Sequence, residues 1–483
     1  MLKRRYDLPL LILFGAIILF IFSKNSFLYT TNDWVDVNSF MTTGNGWVHG
    51  LIPYKDLFEQ KGPILFWIYA LAARTKLYFH GIFLLELITM STTMVILYHT
   101  FQKILDQRLK INLTLIIFAI ILTFDSYFTG GGGVEELGLP FIAYQLYLFT
   151  KVIKKETITT TQWVLAALGF NILFWIKYTL GLTYVILTLI YYGYLIYQNK
   201  IKILLQNIAI NVIILISVAG IISLYFWHVH ALTDLYQVYF YDNIFIYGAN
   251  PMPHGHSFIY NWVNRFKWIL ILFGLLTSPV IFKKKLLISK WWVFVFIGII
   301  LINFNLSNSF AYYSLIMVPL VIYLLYIGDL SKYWLMLLIF MTSSLSIYTS
   351  YNIHETKWSN HLSSGQIVQK TIGDSNSVVQ FGLMDTGYFN LTHTTPQAKY
   401  FHMNNIKPSA FPELLDEPLN VIHTKHIKYV ITRKVVYDYE KENLKQYKII
   451  KKFNIKSYAY SKHQHEGSST YYILKLKQST THD

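Results

Sequence analysis

The stretch Ile203–Trp227 carries neither an acidic nor a basic side chain. A run of that kind is suited to a lipid bilayer, because about 20 consecutive apolar residues cross the hydrocarbon core as a helix. Comparable runs lie at Leu8–Phe22, Leu113–Phe124 and Tyr184–Ile196. The whole chain is 54% hydrophobic and 14% charged, where a soluble domain carries about 25% charged residues. Burying these runs in a soluble core would need a very large domain with little surface. The chain is therefore read as an integral membrane protein, and its 17% aromatic content suits the belts found at membrane interfaces.

Candidate spans fall at roughly 8–23, 82–99, 111–124, 138–150, 162–176, 179–197, 204–226, 268–282, 291–305, 311–327 and 333–350. Lys3, Arg4 and Arg5 precede the first, and no small-x-small cleavage signal follows it, so it is read as an uncleaved span and not a signal peptide. With the N-terminus in the cytoplasm, the inner connections hold Lys103, Arg108 and Lys110, then Lys151, Lys154 and Lys155, then Lys200 and Lys202, then Lys283, Lys284, Lys285 and Lys290, and last Lys332. Each inner loop then obeys the positive-inside rule. The agreement requires that the apolar stretch Pro63–Leu77 lie at the membrane without crossing it, as a juxtamembrane or re-entrant helix packed on protein. About eleven spans then place the tail outside.

The expected architecture is an α-helical polytopic membrane domain over 1–351, with outer loops 24–81, 125–137 and 227–267. A small extracytoplasmic α/β domain over 352–483 is read from short β-rich runs at Val378–Leu383, Ile427–Thr432 and Tyr471–Leu476. There is no cysteine, which excludes disulfides and thiolate metal sites. The net charge of +16 is accounted for by cytoplasmic Lys/Arg and anionic lipid. No nucleic-acid motif is present. Richness in Lys, Ile, Asn and Tyr suggests an AT-rich bacterial genome, hence a bacterial plasma membrane.

The chemistry-bearing residues gather in the outer loops. The first contains Asp33 and Asp36, then Gly50-Leu51-Ile52-Pro53-Tyr54-Lys55-Asp56-Leu57-Phe58-Glu59-Gln60-Lys61-Gly62-Pro63. Carboxylates held at a membrane interface can serve as general bases or metal ligands, and Lys61 can balance a phosphate; the alternative is a solvated loop with ordinary surface charges. In the second loop, Gly130–Gly133 allow close backbone approach ahead of Glu135 and Glu136, although a helix dipole also favours acids at that position. No Gly-Lys-Ser/Thr follows, so the run is not a nucleotide-binding loop. Lys177 and Tyr178 stand in a turn between two apolar helices, where a lysine can snorkel or bind phosphate. The third loop offers Tyr236, Tyr239 and Asn243, which combine stacking with hydrogen bonding as sugar contacts do. His228, His230, His254 and His256 form two His-x-His pairs, which bind metal less often than not.

Taken together, these motifs resemble the GT-C superfamily of membrane glycosyltransferases, whose relatives include the protein O-mannosyltransferases and the lipid A aminoarabinose transferases. Similarity is greatest to a Gram-positive branch described as teichoic-acid or cell-envelope glycosyltransferases. It is carried by Asp36 through Phe40, Gly50 through Pro63 with Trp67, Glu135-Glu136-Leu137-Gly138-Leu139-Pro140-Phe141, Lys177-Tyr178-Thr179, and Tyr312 and Tyr313 ahead of Pro319. The tail matches less specifically, through Gly382–Phe389.

The resemblance implies inverting transfer of a sugar from a polyprenyl-phosphate donor to an acceptor hydroxyl of an envelope polymer. It implies Asp36 as the base, with Asp33 as competitor. It also implies Lys61, Lys177 and Tyr178 at the donor phosphate, and Glu135, Glu136 and Asp56 for acceptor or metal positioning. Tyr236, Tyr239, Asn243, Tyr312 and Tyr313 are the candidate sugar contacts. Asp36 is followed by Val37, where the aminoarabinose and mannosyl branches often have Glu. That departure leaves a divalent metal ion open as the only cofactor to consider. The alternative is a transporter or flippase of lipid-linked saccharide. Transporters place ionisable sites near the midplane and often show internal repeats; here the candidate spans hold no acid but Glu86, and no repeat is visible.

Overall fold

The computed structural model describes residues 6–124, 128–247, 311–350, 362–404, 406, 408–454 and 470–477. The candidate spans 268–282 and 291–305, Lys283, Lys284, Lys285 and Lys290, His254 and His256, and the distal part of the third outer loop lie outside the described residues.

In chain order the helices are α1 (Asp7–Phe22), α2 (Val35–Val48), α3 (Pro63–Arg74), α4 (Phe79–Ile104), α5 (Arg108–Leu122) and α6 (Val134–Ile153). They continue with α7 (Thr160–Ile176), α8 (Tyr178–Tyr197), α9 (Ile201–His228) and the short α10 (Leu232–Tyr236), which runs into a π-helix over Gln237–Tyr247. A 3-10 segment, Ala311–Met317, leads into α11 (Val318–Ile327), followed by α12 (Lys332–Thr349). The tail adds α13 (Ser364–Ile372), β1 (Val378–Phe381), α14 (Tyr388–Thr392), α15 (Glu413–Thr424), β2 (Tyr429–Arg433), α16 (Lys434–Tyr439), β3 (Tyr447–Asn454) and β4 (Thr470–Leu476).

These elements form two compact units. One draws on Met1–Leu28, Ile82–Ile222 and His254–Lys357, the other on Tyr29–Gly81, Ser223–Pro253 and Trp358–Asp483.

Within the first unit, every candidate span that falls in the described residues is helical over most of its length. Helices α4, α8 and α9 are long and apolar enough to cross a membrane. At 1.5 Å per residue the 26 residues of α4 reach about 39 Å. Helices α1, α11 and α12 pack on α5, and α5 buries Ile111 and nearly every residue from Leu113 to Leu122. Helix α6 packs on α7, α8, α11 and the 3-10 segment. The apolar face of α9 is open instead, with Ile213, Ile216, Ile221 and Leu224 exposed, as suits a helix bathed in lipid.

Polar contacts fix which ends of these helices lie together. Asp7 at the start of α1 pairs with Arg108 at the start of α5, and Lys110 pairs with Asp329 in the α11–α12 turn. Lys103 reaches Glu156, between α6 and α7, at 2.7 Å. At the opposite end, Ser23 and Asn25 just past α1 donate to Glu86 near the start of α4, at 2.6 and 2.7 Å. Helix α4 therefore begins at the end of the bundle where α1 leaves it, so the chain between them returns to the same side. Helix α3 has 12 residues, about 18 Å, well short of a hydrocarbon core of about 30 Å.

In the second unit α2 lies against α3. A Cβ on Gly44 would sit 2.6 Å from the Ala70 backbone nitrogen, so only glycine permits this approach. The sheet has the order β1-β2-β4-β3, with β1 parallel to β2 and β4 antiparallel to both its neighbours. Alternation along the strands sends Val379, Phe381, Val430 and Leu474 to one face, against Val421 and Ile422 of α15. Val378, Ile431 and Ile473 go to the other, against Tyr388, Phe389, Phe401 and Leu57. One face of the tail's sheet is thus covered by a residue of the first outer loop.

Candidate active site

Asp36 lies in the first turn of α2, and Asp33 in the extended segment before it; both are half-buried. A carboxylate in the first helical turn is favoured by the helix dipole. Ser39, one turn on, places its Oγ 2.8 Å from both the Asp36 carbonyl oxygen and Glu59 Oε2. Its single proton is shared between the two. Glu59 is 2% exposed, and a carboxylate taken out of water needs charge and hydrogen bonds around it. Lys61 Nζ is 3.7 Å from Oε1, the Gln60 N–H donates to Oε1 at 2.8 Å, and His402 Nε2 is 3.0 Å from Oε2. Burial alone pushes the Glu59 carboxyl up; Lys61, His402 and Ser39 outweigh it and hold it at about 2, below its ordinary 4.5. Lys61 also lies over the Phe40 ring, 5.6 Å from its centroid, and its carbonyl accepts from Tyr54 Oη at 2.7 Å.

Asp56 is turned to local structure: its carboxylate accepts from the Ile52 N–H at 2.7 Å, bracing a turn in which Tyr54 has a φ of +71°.

The first unit holds the second group of candidates. Lys177 interrupts the path from α7 to α8 with extended backbone. Its Nζ donates to Glu135 Oε1 at 2.7 Å and lies 3.5 Å from the centre of the Tyr313 ring. Tyr312 meets Tyr313 edge to face at 4.8 Å. Tyr178, the first residue of α8, is half-buried. Glu136 accepts from the Gly132 N–H at 3.0 Å. Gly131 has φ +87°, and a Cβ there would collide with Glu86. Among the described residues, the glycine run closes over buried carboxylates.

The third-loop candidates are mostly committed to packing. Tyr239 is fully buried. The Asn243 side chain donates to the Gln60 carbonyl at 2.8 Å, tying the π-helix to the loop that carries Lys61. Tyr236 is exposed, and its hydroxyl is 3.0 Å from Ser223 Oγ. Asp242, in the same π-helix, is buried as well. Burial raises its carboxyl, against the Gln237 hydrogen bond and the nearby Lys399. Among the described residues no group of three or more His, Asp or Glu is arranged to hold a metal ion. Glu135 and Glu136, the acids offered for that role, instead hold Lys177 and the Gly132 N–H.

Sequence reasoning missed the tail's contribution to the first loop. Thr42 Oγ1 donates to Asp385 Oδ2 at 2.7 Å, and Asn390 Nδ2 donates to the Asn38 carbonyl at 3.0 Å. His402 meets Glu59. The only signal was the segment Gly382–Phe389, which contains Asp385.

The family model described as dolichyl-phosphate-mannose-protein mannosyltransferase matches residues 60–227. Among curated proteins no sequence matches. Two solved structures share the architecture over almost the whole chain. ArnT from Cupriavidus metallidurans bound to undecaprenyl phosphate superposes with a TM-score of 0.52 at 9% identity, covering 97% of this chain and 98% of that one. The same protein in the apo state gives 0.50 at 8% identity, covering 98% and 97%. At such identities the likeness is one of fold. The fold is that of the GT-C membrane glycosyltransferases. The family model's match, residues 60–227, lies within that shared fold and covers less than half of the chain.

Proposed function

We propose that the chain is an inverting glycosyltransferase that moves a sugar from a polyprenyl-phosphate donor to a hydroxyl of a cell-envelope polymer, such as a teichoic acid. The reading includes a multi-pass arrangement in a bacterial plasma membrane, with the N-terminus cytoplasmic and the site and tail on the outer face. The observation that carries it is that one buried carboxylate, Glu59, meets both Lys61, a cation suited to phosphate, and, through the Ser39 hydroxyl, the backbone of the helical turn that carries Asp36, a carboxylate suited to general base. The fold shared with a structure holding undecaprenyl phosphate supports the class of donor.

In this reading the Asp36 carboxylate takes the proton of the acceptor hydroxyl, which requires hydrogen-bond reach. The acceptor oxygen attacks the anomeric carbon as the bond to the phosphate oxygen breaks. The polyprenyl phosphate leaves with one more negative charge, which Lys61 would offset. Lys177 and Tyr178 are separate candidates for binding a donor phosphate. Lys177 would exchange part of its bond to Glu135 for the ligand.

The test is purified protein in liposomes with a radiolabelled polyprenyl-phosphate sugar and an envelope-polymer acceptor. Label passing to the acceptor is expected. Label that crosses the bilayer while remaining on the lipid would overturn the reading in favour of a flippase.

A further inference from the structure

We infer that His402, acting through Glu59, is a positioning residue for sugar transfer; the inference rests on the glycosyltransferase reading above. The two oxygens of Glu59 face different ways. Oε2 meets Ser39 and His402, at 2.8 and 3.0 Å. Oε1 meets Lys61 and the Gln60 N–H, at 3.7 and 2.8 Å. Turning the carboxylate would disturb the Asp36 turn and Lys61 together, so whatever fixes its plane fixes both.

Ser39 alone is a weak clamp, since its proton is shared with the Asp36 carbonyl. His402 closes the other side. The imidazole is 3% exposed, and neither ring nitrogen completes an aligned hydrogen bond with any group. Its Nε2 lies 3.0 Å from Glu59 Oε2. A buried imidazole with no other polar partner loses stability by being there, so its placement against this one carboxylate calls for a role at the carboxylate. Its neighbours agree. The tail segment that carries His402 belongs to the sheet domain that also grips α2 through Asp385–Thr42 and Asn390–Asn38, at 2.7 and 3.0 Å. Three side chains of the tail thus converge on the helix and loop that carry Asp36 and Lys61.

The experiment compares full-length wild type, His402→Ala, His402→Gln, Glu59→Gln and the Glu59→Gln/His402→Ala double variant. Transfer from the polyprenyl-phosphate sugar is measured per folded molecule, with folded protein quantified by thermal unfolding in detergent. A displacement of about 1 Å at a reacting group can cost about 100-fold. His402→Ala and Glu59→Gln are each expected to lower kcat/KM for the donor by about tenfold to 100-fold. His402→Gln, which keeps a side-chain N–H near Glu59, is expected to recover most of that loss. The double variant is expected to be no worse than the worse single one, the mark of two groups acting as a unit. A His402→Ala protein whose kcat/KM per folded molecule stays within twofold of wild type overturns the inference, as do losses that multiply in the double variant. If His402→Ala does not fold, a loss in Glu59→Gln with His402→Gln close to wild type supports the inference, and full activity in Glu59→Gln overturns it. A wild type that transfers no sugar removes the glycosyltransferase reading, and this inference with it.

Discussion

Lys177 and Glu135 form an ion pair at 2.7 Å with side chains only 12% and 2% exposed, and the same ammonium rests on the Tyr313 ring. Removing one member of a buried pair costs about 3–5 kcal/mol, because the other is left without compensation. Glu135→Gln and Lys177→Met should therefore each lower the unfolding temperature in detergent. Lys177→Met should also lower transfer by about 100-fold or more if the lysine offsets charge on the leaving phosphate. A stable Lys177→Met protein with wild-type turnover would remove Lys177 from the phosphate site.

Asp36 and Asp33 lie three residues apart and compete for the role of base. Loss of a general base lowers the rate by about 10²–10⁴. Asp36→Asn should show that loss with its unfolding temperature preserved, while Asp33→Asn should keep most of its turnover. The opposite ranking in a donor-dependent transfer assay would reassign the base to Asp33.

Glu59 carries a pH signature. Its folded value of about 2 lies below its ordinary 4.5, so the unfolded chain takes up the proton first as pH falls. The stabilisation is present above about 4.5 and is lost as pH drops towards 2. Wild type and Glu59→Gln should differ in stability near neutral pH and converge across that window. Parallel stability curves throughout would show that the carboxylate contributes no charge-dependent stability.

Orientation can be read with single cysteines, since the native chain has none. Lys155→Cys, in the α6–α7 turn, and Lys425→Cys, past α15 in the tail, are both exposed positions. On intact cells an impermeant maleimide should label the second and reach the first only after permeabilisation. The reverse pattern would invert the topology.

Helices α4, α8 and α9 were legible as apolar enough to cross a membrane because lipid imposes one demand, apolar length, that composition reports directly. The expectation that Pro63–Leu77 does not cross rested on the parity of basic loops alone. It agrees with α4 starting beside Ser23 and Asn25. Three of the four strands were readable from apolar runs buried on both faces. Strand β3 was not, because Lys448, Lys451 and Lys452 break its pattern and most of its residues are exposed, as suits a charged edge strand. The π-helix read as loop because its polar and aromatic residues show no single period.

Of the candidate site, the residue types were visible but their partners were not. Nothing near Glu59 in the sequence points to His402, and nothing near Asn38 points to Asn390. Such pairs depend on chain segments brought together from opposite ends, which local spacing does not encode.

The covering of the tail's sheet by Leu57 has a consequence for how the protein is made. The first outer loop leaves the ribosome long before its partners do: Thr42 precedes Asp385 by 343 residues, on the order of half a minute of synthesis at about 5–20 residues per second. Through that interval Leu51, Leu57 and the Asp36 helix lack the tail they pack against. Until the C-terminus arrives, a nascent chain therefore exposes the apolar loop surface that the finished protein buries against the sheet.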